Sequence, residues 1–117
     1  MDNFAKDEFD PAVLLQQKSG GYELMLIGMS EAGYAIVDER GLQGGGYTWE
    51  GLCRYLVRSR APELVSEITY DCEGDTFIAQ AQSLEVIRKV GALVQQAMND
   101  PVLIREAFDK AEPDELE

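Results

Sequence analysis

Apolar residues fall into short runs early in the chain and into helical stripes later. Ala12 to Lys18 is a short, largely apolar run, and Ser19-Gly20-Gly21 interrupts it. Tyr22 to Ser30 is rich in strand formers, and Glu31-Ala32-Gly33 interrupts it in turn. Tyr34-Ala35-Ile36-Val37 is a third such run. Short apolar runs separated by glycine-containing breaks read as hairpins, so this region predicts a three-stranded antiparallel meander. Asp38 to Gly46 follows and holds four of the eleven glycines, too many for the interior of a helix or strand. It reads as a long connection. No Gly-Lys-Ser/Thr follows it, and Trp49 stands where a dinucleotide fingerprint starting at Gly44 needs its third glycine, so it is not a phosphate loop.

From Thr48 the period changes. Trp49, Leu52, Cys53, Leu56 and Val57 fall at i, i+3, i+4, i+7 and i+8, one stripe of a helix that Thr48 is placed to cap. Pro62 ends this helix or opens a short turn at Glu63-Leu64. Glu67 to Asp71 and Thr76 to Ala79 alternate around Cys72-Glu73-Gly74-Asp75, which predicts a second hairpin. Ser83 caps a helix carrying Leu84, Ile87, Val90, Gly91, Leu93 and Val94 on its inner side. Asp100 followed by Pro101 is a strong start for a last helix, with Ile104, Ala107, Phe108 and Ala111 as its stripe. The order βββ-α-ββ-αα predicts an α+β fold: an antiparallel sheet of about five strands with about three helices packed on one face.

Composition narrows the function. The 117 residues include 22 acids against 10 bases, a net charge of −12, and no histidine. Such a balance argues against a protein that grips nucleic-acid phosphates, because that grip comes from Lys and Arg. Without histidine, Ser-His-Asp and Cys-His catalysis and histidine-ligated metals are excluded. The apolar fraction of 45% and the length suit one domain, residues 1–117, with a real core. Residues 1–10 and 112–117 hold eight of the 22 acids and read as loosely ordered ends. Met1 to Asp10 lacks the basic start and apolar run of a signal peptide, and no stretch reaches the roughly 18 apolar residues of a membrane span. The expectation is a cytoplasmic protein, off the membrane, with Cys53 and Cys72 as reduced thiols.

Three groups of residues carry candidate chemistry. Asp71, Glu73 and Asp75 alternate in the predicted turn, a spacing that suits a hard cation or a basic partner. As an EF-hand loop they fail, because the sixth position is Thr76 and the twelfth is Gln82. Tyr47, Trp49 and Glu50 follow the glycines at the helix start, and Tyr and Trp are favoured where proteins bind proteins. Trp49 also lies on the core stripe, so it either anchors a partner or supports the loop. Arg54, Arg58 and Arg60 form a basic cluster suited to pairing with the chain's own acids. Cys53 reads as buried. Cys72 sits in the turn, open to solvent on this reading, with Asp71 and Glu73 disfavouring its thiolate. Nothing here points to a catalytic residue or a cofactor.

The stretch Gly41-Leu42-Gln43-Gly44-Gly45-Gly46-Tyr47-Thr48-Trp49 resembles the glycine-rich signature of the immunity protein 51 family. Pro62-Glu63-Leu64, the block from Ile68 to Phe77, and Ala111-Glu112-Pro113-Asp114 are similar to further blocks of that family, in the same order. Gly45 stands where the family has Asn, Thr48 where it has Asp, and Cys72 where it has Pro. The resemblance implies an immunity protein of a bacterial polymorphic toxin system. Such a protein neutralises a cognate toxin by occluding its active surface, without catalysis. The charge favours a basic, nuclease-like toxin, because opposite charge steers association. Tyr47, Trp49, Glu50, Asp71, Glu73 and Asp75 are the expected partner-binding residues. A divalent-cation-binding module, or an acidic adaptor protein, is the alternative.

Overall fold

The computed structural model describes residues 8, 9, 12–17, 20–27, 31–41 and 45–111. The fold is α+β, with a four-stranded antiparallel sheet. Strands β1 (Val13–Gln16) and β2 (Tyr22–Ile27) come first, followed by helices α1 (Glu31–Arg40) and α2 (Gly46–Arg60). A 3-10 helix (Pro62–Glu67) leads to β3 (Thr69–Tyr70) and β4 (Thr76–Ala81), then α3 (Leu84–Met98) and α4 (Pro101–Lys110). The order in the sheet is β1-β2-β4-β3. Two hairpins therefore lie side by side, joined where Leu24 of β2 faces Ala79 of β4.

The strands form because their burial alternates. Leu14, Leu24, Leu26, Phe77, Ala79 and Ala81 are buried on one face, against the helices. On the other face Val13, Leu15, Met25 and Ile78 are half-buried beside Glu23, which accepts hydrogen bonds from the Gln17 and Gln80 side-chain amides (3.2 Å each). Each large apolar side chain taken fully into such a core stabilises it by about 1.5–3 kcal/mol. Phe9 is also buried, its ring lying where a Cβ on Gly91 of α3 would otherwise sit.

One predicted element changes type. Tyr34 to Val37 is not a third strand of a meander but lies within α1. Ile36 and Val37 are buried next to each other, while Ala35, Asp38, Glu39 and Arg40 are exposed. Strand burial alternates; one-sided burial of neighbours suits a helix. Ion pairs hold α1 along α4, Arg40 to Asp109 at 2.6 Å and Arg105 to Glu39 at 3.6 Å. With that change the chain runs strand-strand-helix-helix twice. The core stripe Trp49, Leu52, Cys53 and Leu56 of α2 matches Ile104, Ala107 and Phe108 of α4 and its C-cap Ala111 in spacing and burial.

The predicted caps divide. The Ser83 hydroxyl accepts from the Val86 N–H (3.3 Å), and Asp100 accepts from the N–H groups of Val102 (3.1 Å) and Leu103 (3.3 Å). Thr48 is not the N-cap: α2 begins earlier, at Gly46, with Gly45 as its N-cap, and Thr48 is buried inside the helix. No described helix is long and apolar enough to cross a membrane. The predicted strand end at residues 28–30, the glycine loop at 42–44, most of the N-terminal lead-in and the tail at 112–117 lie outside the described residues.

Candidate functional site

The glycine-aromatic segment and the acidic turn meet backbone to backbone. Asp71 N–H donates to the Ile78 carbonyl (3.0 Å), and Glu73 and Thr76 exchange two bonds (3.0 and 2.8 Å). Between them Gly74 takes a φ of +52°, while Asp75 does not have a positive φ. A positive φ at the first central position alone is the pattern of a type II′ hairpin turn, which is why glycine stands there. The Gly74 carbonyl then accepts the N–H of Gly46 at the first turn of α2 (2.8 Å). A Cβ on Gly45 would lie 2.7 Å from that same carbonyl oxygen, and one on Gly46 would collide with the Thr76 carbonyl. The two glycines are thus required by close approach rather than by a bend.

This contact places Tyr47, 46% exposed, next to a turn whose Asp71, Glu73 and Asp75 are all exposed. The other two expected residues face inward. Trp49 is only 1% exposed and packs in the core at the start of α2. Its indole N–H has no hydrogen-bond partner, a cost borne by the surrounding packing. Glu50 accepts from Arg54 Nε (2.8 Å), and its carboxylate lies near enough to Cys72 to help raise that thiol's pKa.

Cys72 is buried, not open to solvent. Its thiol donates to the Ile78 carbonyl (3.7 Å), and its sulfur accepts the Ile78 N–H (3.4 Å). Sequence reasoning missed this because the burial comes from α2, distant in the chain. Cys53 is also a free thiol, and the Tyr70 hydroxyl donates to it (3.6 Å). Burial pushes the Cys53 thiol up to about 12, against the opposing pull of the Tyr70 hydrogen bond. Burial likewise pushes Cys72 up to about 11, and Tyr70 upward as well. Both thiols stay protonated at neutral pH and are not nucleophiles there.

Arg54 lies over the Tyr70 ring, 4.4 Å from its centroid, and Tyr70 packs at a tilt against Phe77 (6.2 Å between centroids). Of the basic cluster, Arg54 pairs with Glu50, and Arg60 pairs with Glu106 at 3.6 Å. Among the described residues no three Cys, Asp or Glu side chains converge as a metal-holding group. The arrangement offers a neighbouring molecule an exposed tyrosine at a helix start and three exposed carboxylates on the turn to which that start is bonded. The family model described as Immunity protein 51 matches residues 13–113. No curated protein and no solved structure matches the chain.

Proposed function

As the chain belongs to the immunity protein 51 family, we propose that it binds a cognate toxin domain of a bacterial polymorphic toxin system and blocks that domain's active surface by occlusion, catalysing nothing itself. The observation that carries this reading is the junction of Gly46 and Gly74, at 2.8 Å. It bonds the helix start that carries the exposed Tyr47 to the turn that carries the exposed acids Asp71, Glu73 and Asp75. An aromatic anchor next to a carboxylate cluster suits a basic protein surface. The aromatic supplies rigid contact area, and the charges steer approach. Trp49 and Glu50 act behind this surface, holding α2 and the turn in register. The net charge of −12 favours a basic, nuclease-like toxin, which the chain would meet in the cytoplasm.

Co-expression with the toxin encoded beside this gene tests the proposal. Restored growth and a complex that survives size-exclusion chromatography are expected. A folded chain that neither restores growth nor copurifies with that toxin overturns it.

A further inference from the structure

A sheet covered by helices on one side alternates apolar and polar residues along each strand. β1 and β2 break that rule. Leu14 and Leu24 are buried against the helices, yet Val13, Leu15 and Met25 on the opposite face are apolar too. The strand register shows what these side chains adjoin. Residues opposite one another in an antiparallel ladder share a face. Val13 faces Met25, Met25 faces Ile78, and the Asp71 N–H bonds to the Ile78 carbonyl, so these four form one row across the sheet. Leu15, Glu23, Gln80 and Thr69 form a second row, and Glu73 stands opposite Thr76. Cys72, between Asp71 and Glu73, is buried, as the alternation requires if both acids point outward. None of these positions holds Lys or Arg.

Resting on the toxin-binding reading, we propose that this outer face of the sheet is the centre of the contact with the toxin, and that it takes a basic surface with an apolar middle. Interfaces place an apolar centre inside a polar rim. Val13, Leu15, Met25 and Ile78 supply the centre, and Asp71 and Glu73 supply one side of the rim. Glu23 lies among the apolar side chains, its carboxylate oriented by the amides of Gln17 and Gln80 (3.2 Å each). Neutral amides orient a carboxylate without cancelling its charge, so Glu23 calls for a cation on the partner. Size and charge argue against a second copy of this chain as the occupant. Strands about 4.8 Å apart give this four-stranded face roughly 300 Å², well under the about 800 Å² per partner of a stable interface. A second copy would also set carboxylates against carboxylates. A larger basic surface continues past the face onto the acidic turn and the start of α2, which the Gly46–Gly74 bond joins.

The test is the affinity of the full chain for the toxin encoded beside this gene, measured by surface plasmon resonance. Met25→Ala shortens the side chain in the middle of the face and weakens binding by about tenfold, the loss of one interface anchor. Thr69→Arg sets a cation on the same face and weakens it by a similar factor, because it meets a basic partner. Val102→Ala is the control: Val102 is 73% exposed but lies on α4, so its truncation changes affinity by less than about twofold. Far-UV circular dichroism checks that each variant folds. Thr69 is exposed, so Thr69→Arg keeps the fold and carries the test even if Met25→Ala does not. A parent chain that does not bind the toxin overturns the toxin-binding reading and this assignment with it. A parent that binds, with either folded face variant as tight as the parent or Val102→Ala as weak as the face variants, overturns this assignment alone.

Discussion

Helix α4 starts on Asp100, whose carboxylate accepts two backbone N–H groups, with Pro101 in the first turn. Helix α2, at the matching place in the first strand-strand-helix-helix half, starts on Gly45, which has no side chain to offer. Its Gly46 N–H instead goes to the Gly74 carbonyl in the other half. One start is complete within its own sequence, and the other is completed by a distant turn. The difference shows where the molecule couples its halves. The acidic turn and the Tyr47 segment meet at a backbone hydrogen bond, so the placement of each bears on the other. α4 needs no such neighbour, and its start carries no candidate site.

The sharpest way to break the comparison is Gly46→Ala. The new Cβ collides with the Thr76 carbonyl, backbone that cannot swing aside. Overpacking of this kind should cost about 3 kcal/mol. Pro101→Ala, at the first position of α4, should stay within about 1 kcal/mol, because its helix start does not depend on close approach. Urea denaturation of the two variants measures the pair. Equal losses would mean that the α2 junction has no special role.

The two core stripes differ at one titratable position: Cys53 of α2 stands where α4 has Phe108. In the folded chain the Cys53 thiol is raised from 9.0 to about 12 by burial, so the unfolded chain loses this proton first. The stability tied to Cys53 is therefore complete below pH 9.0 and is lost as the pH rises toward about 12. The slope is about 1.4 kcal/mol per pH unit, or about 2 kcal/mol by pH 10.5. Denaturation midpoints across this window should fall less steeply in Cys53→Ala than in the parent. Parallel slopes would assign the alkaline loss to other groups. Cys53 and Cys72 should also resist thiol reagents at pH 8 until the chain is unfolded.

How legible each feature was in the sequence follows the same divide. The starts of α3 and α4 were readable because Ser83 and Asp100 cap them locally. The stripe from Trp49 to Val57 was readable because its helical spacing runs on over several turns. Tyr34 to Val37 reads as a strand, although it lies in α1, because four residues fit both periods and Gly33 looks like a break. The start of α2 was misplaced at Thr48 because nothing local marks Gly46; its reason lies in Thr76 and Gly74. Tyr47 and the acids could be named from residue type. Their adjacency could not, and neither could the inward turn of Glu50 toward Cys72, since both are tertiary facts.

The coupling also bears on binding. Reversing Asp71, Glu73 and Asp75 to lysine should slow association with a basic toxin by about tenfold and flatten its salt dependence, because these acids steer the approach. Reversing Glu85 and Asp109, on the helices of the second half, should change the on-rate by less than about twofold, since those acids pair with Lys89 and Arg40 on another face. Stopped-flow kinetics at two salt concentrations would compare them. Equal effects from both sets would reduce the turn to a share of the overall charge.

Removing the self-contained start should have the smallest effect. Asp100→Ala deletes the acceptor for the Val102 and Leu103 N–H groups, and losing such a cap costs about 1 kcal/mol. The cost should remain local, because the Asp100 side chain holds only its own helix. Amide exchange should quicken in the first turn of α4 and stay unchanged at Gly46 and in the turn from Glu73 to Thr76. If exchange also quickened at Gly46, the two helix starts would be energetically linked through the α2–α4 packing that Tyr55 and Glu106 bridge at 3.0 Å. The contrast between a local start and a shared one would then be a matter of degree.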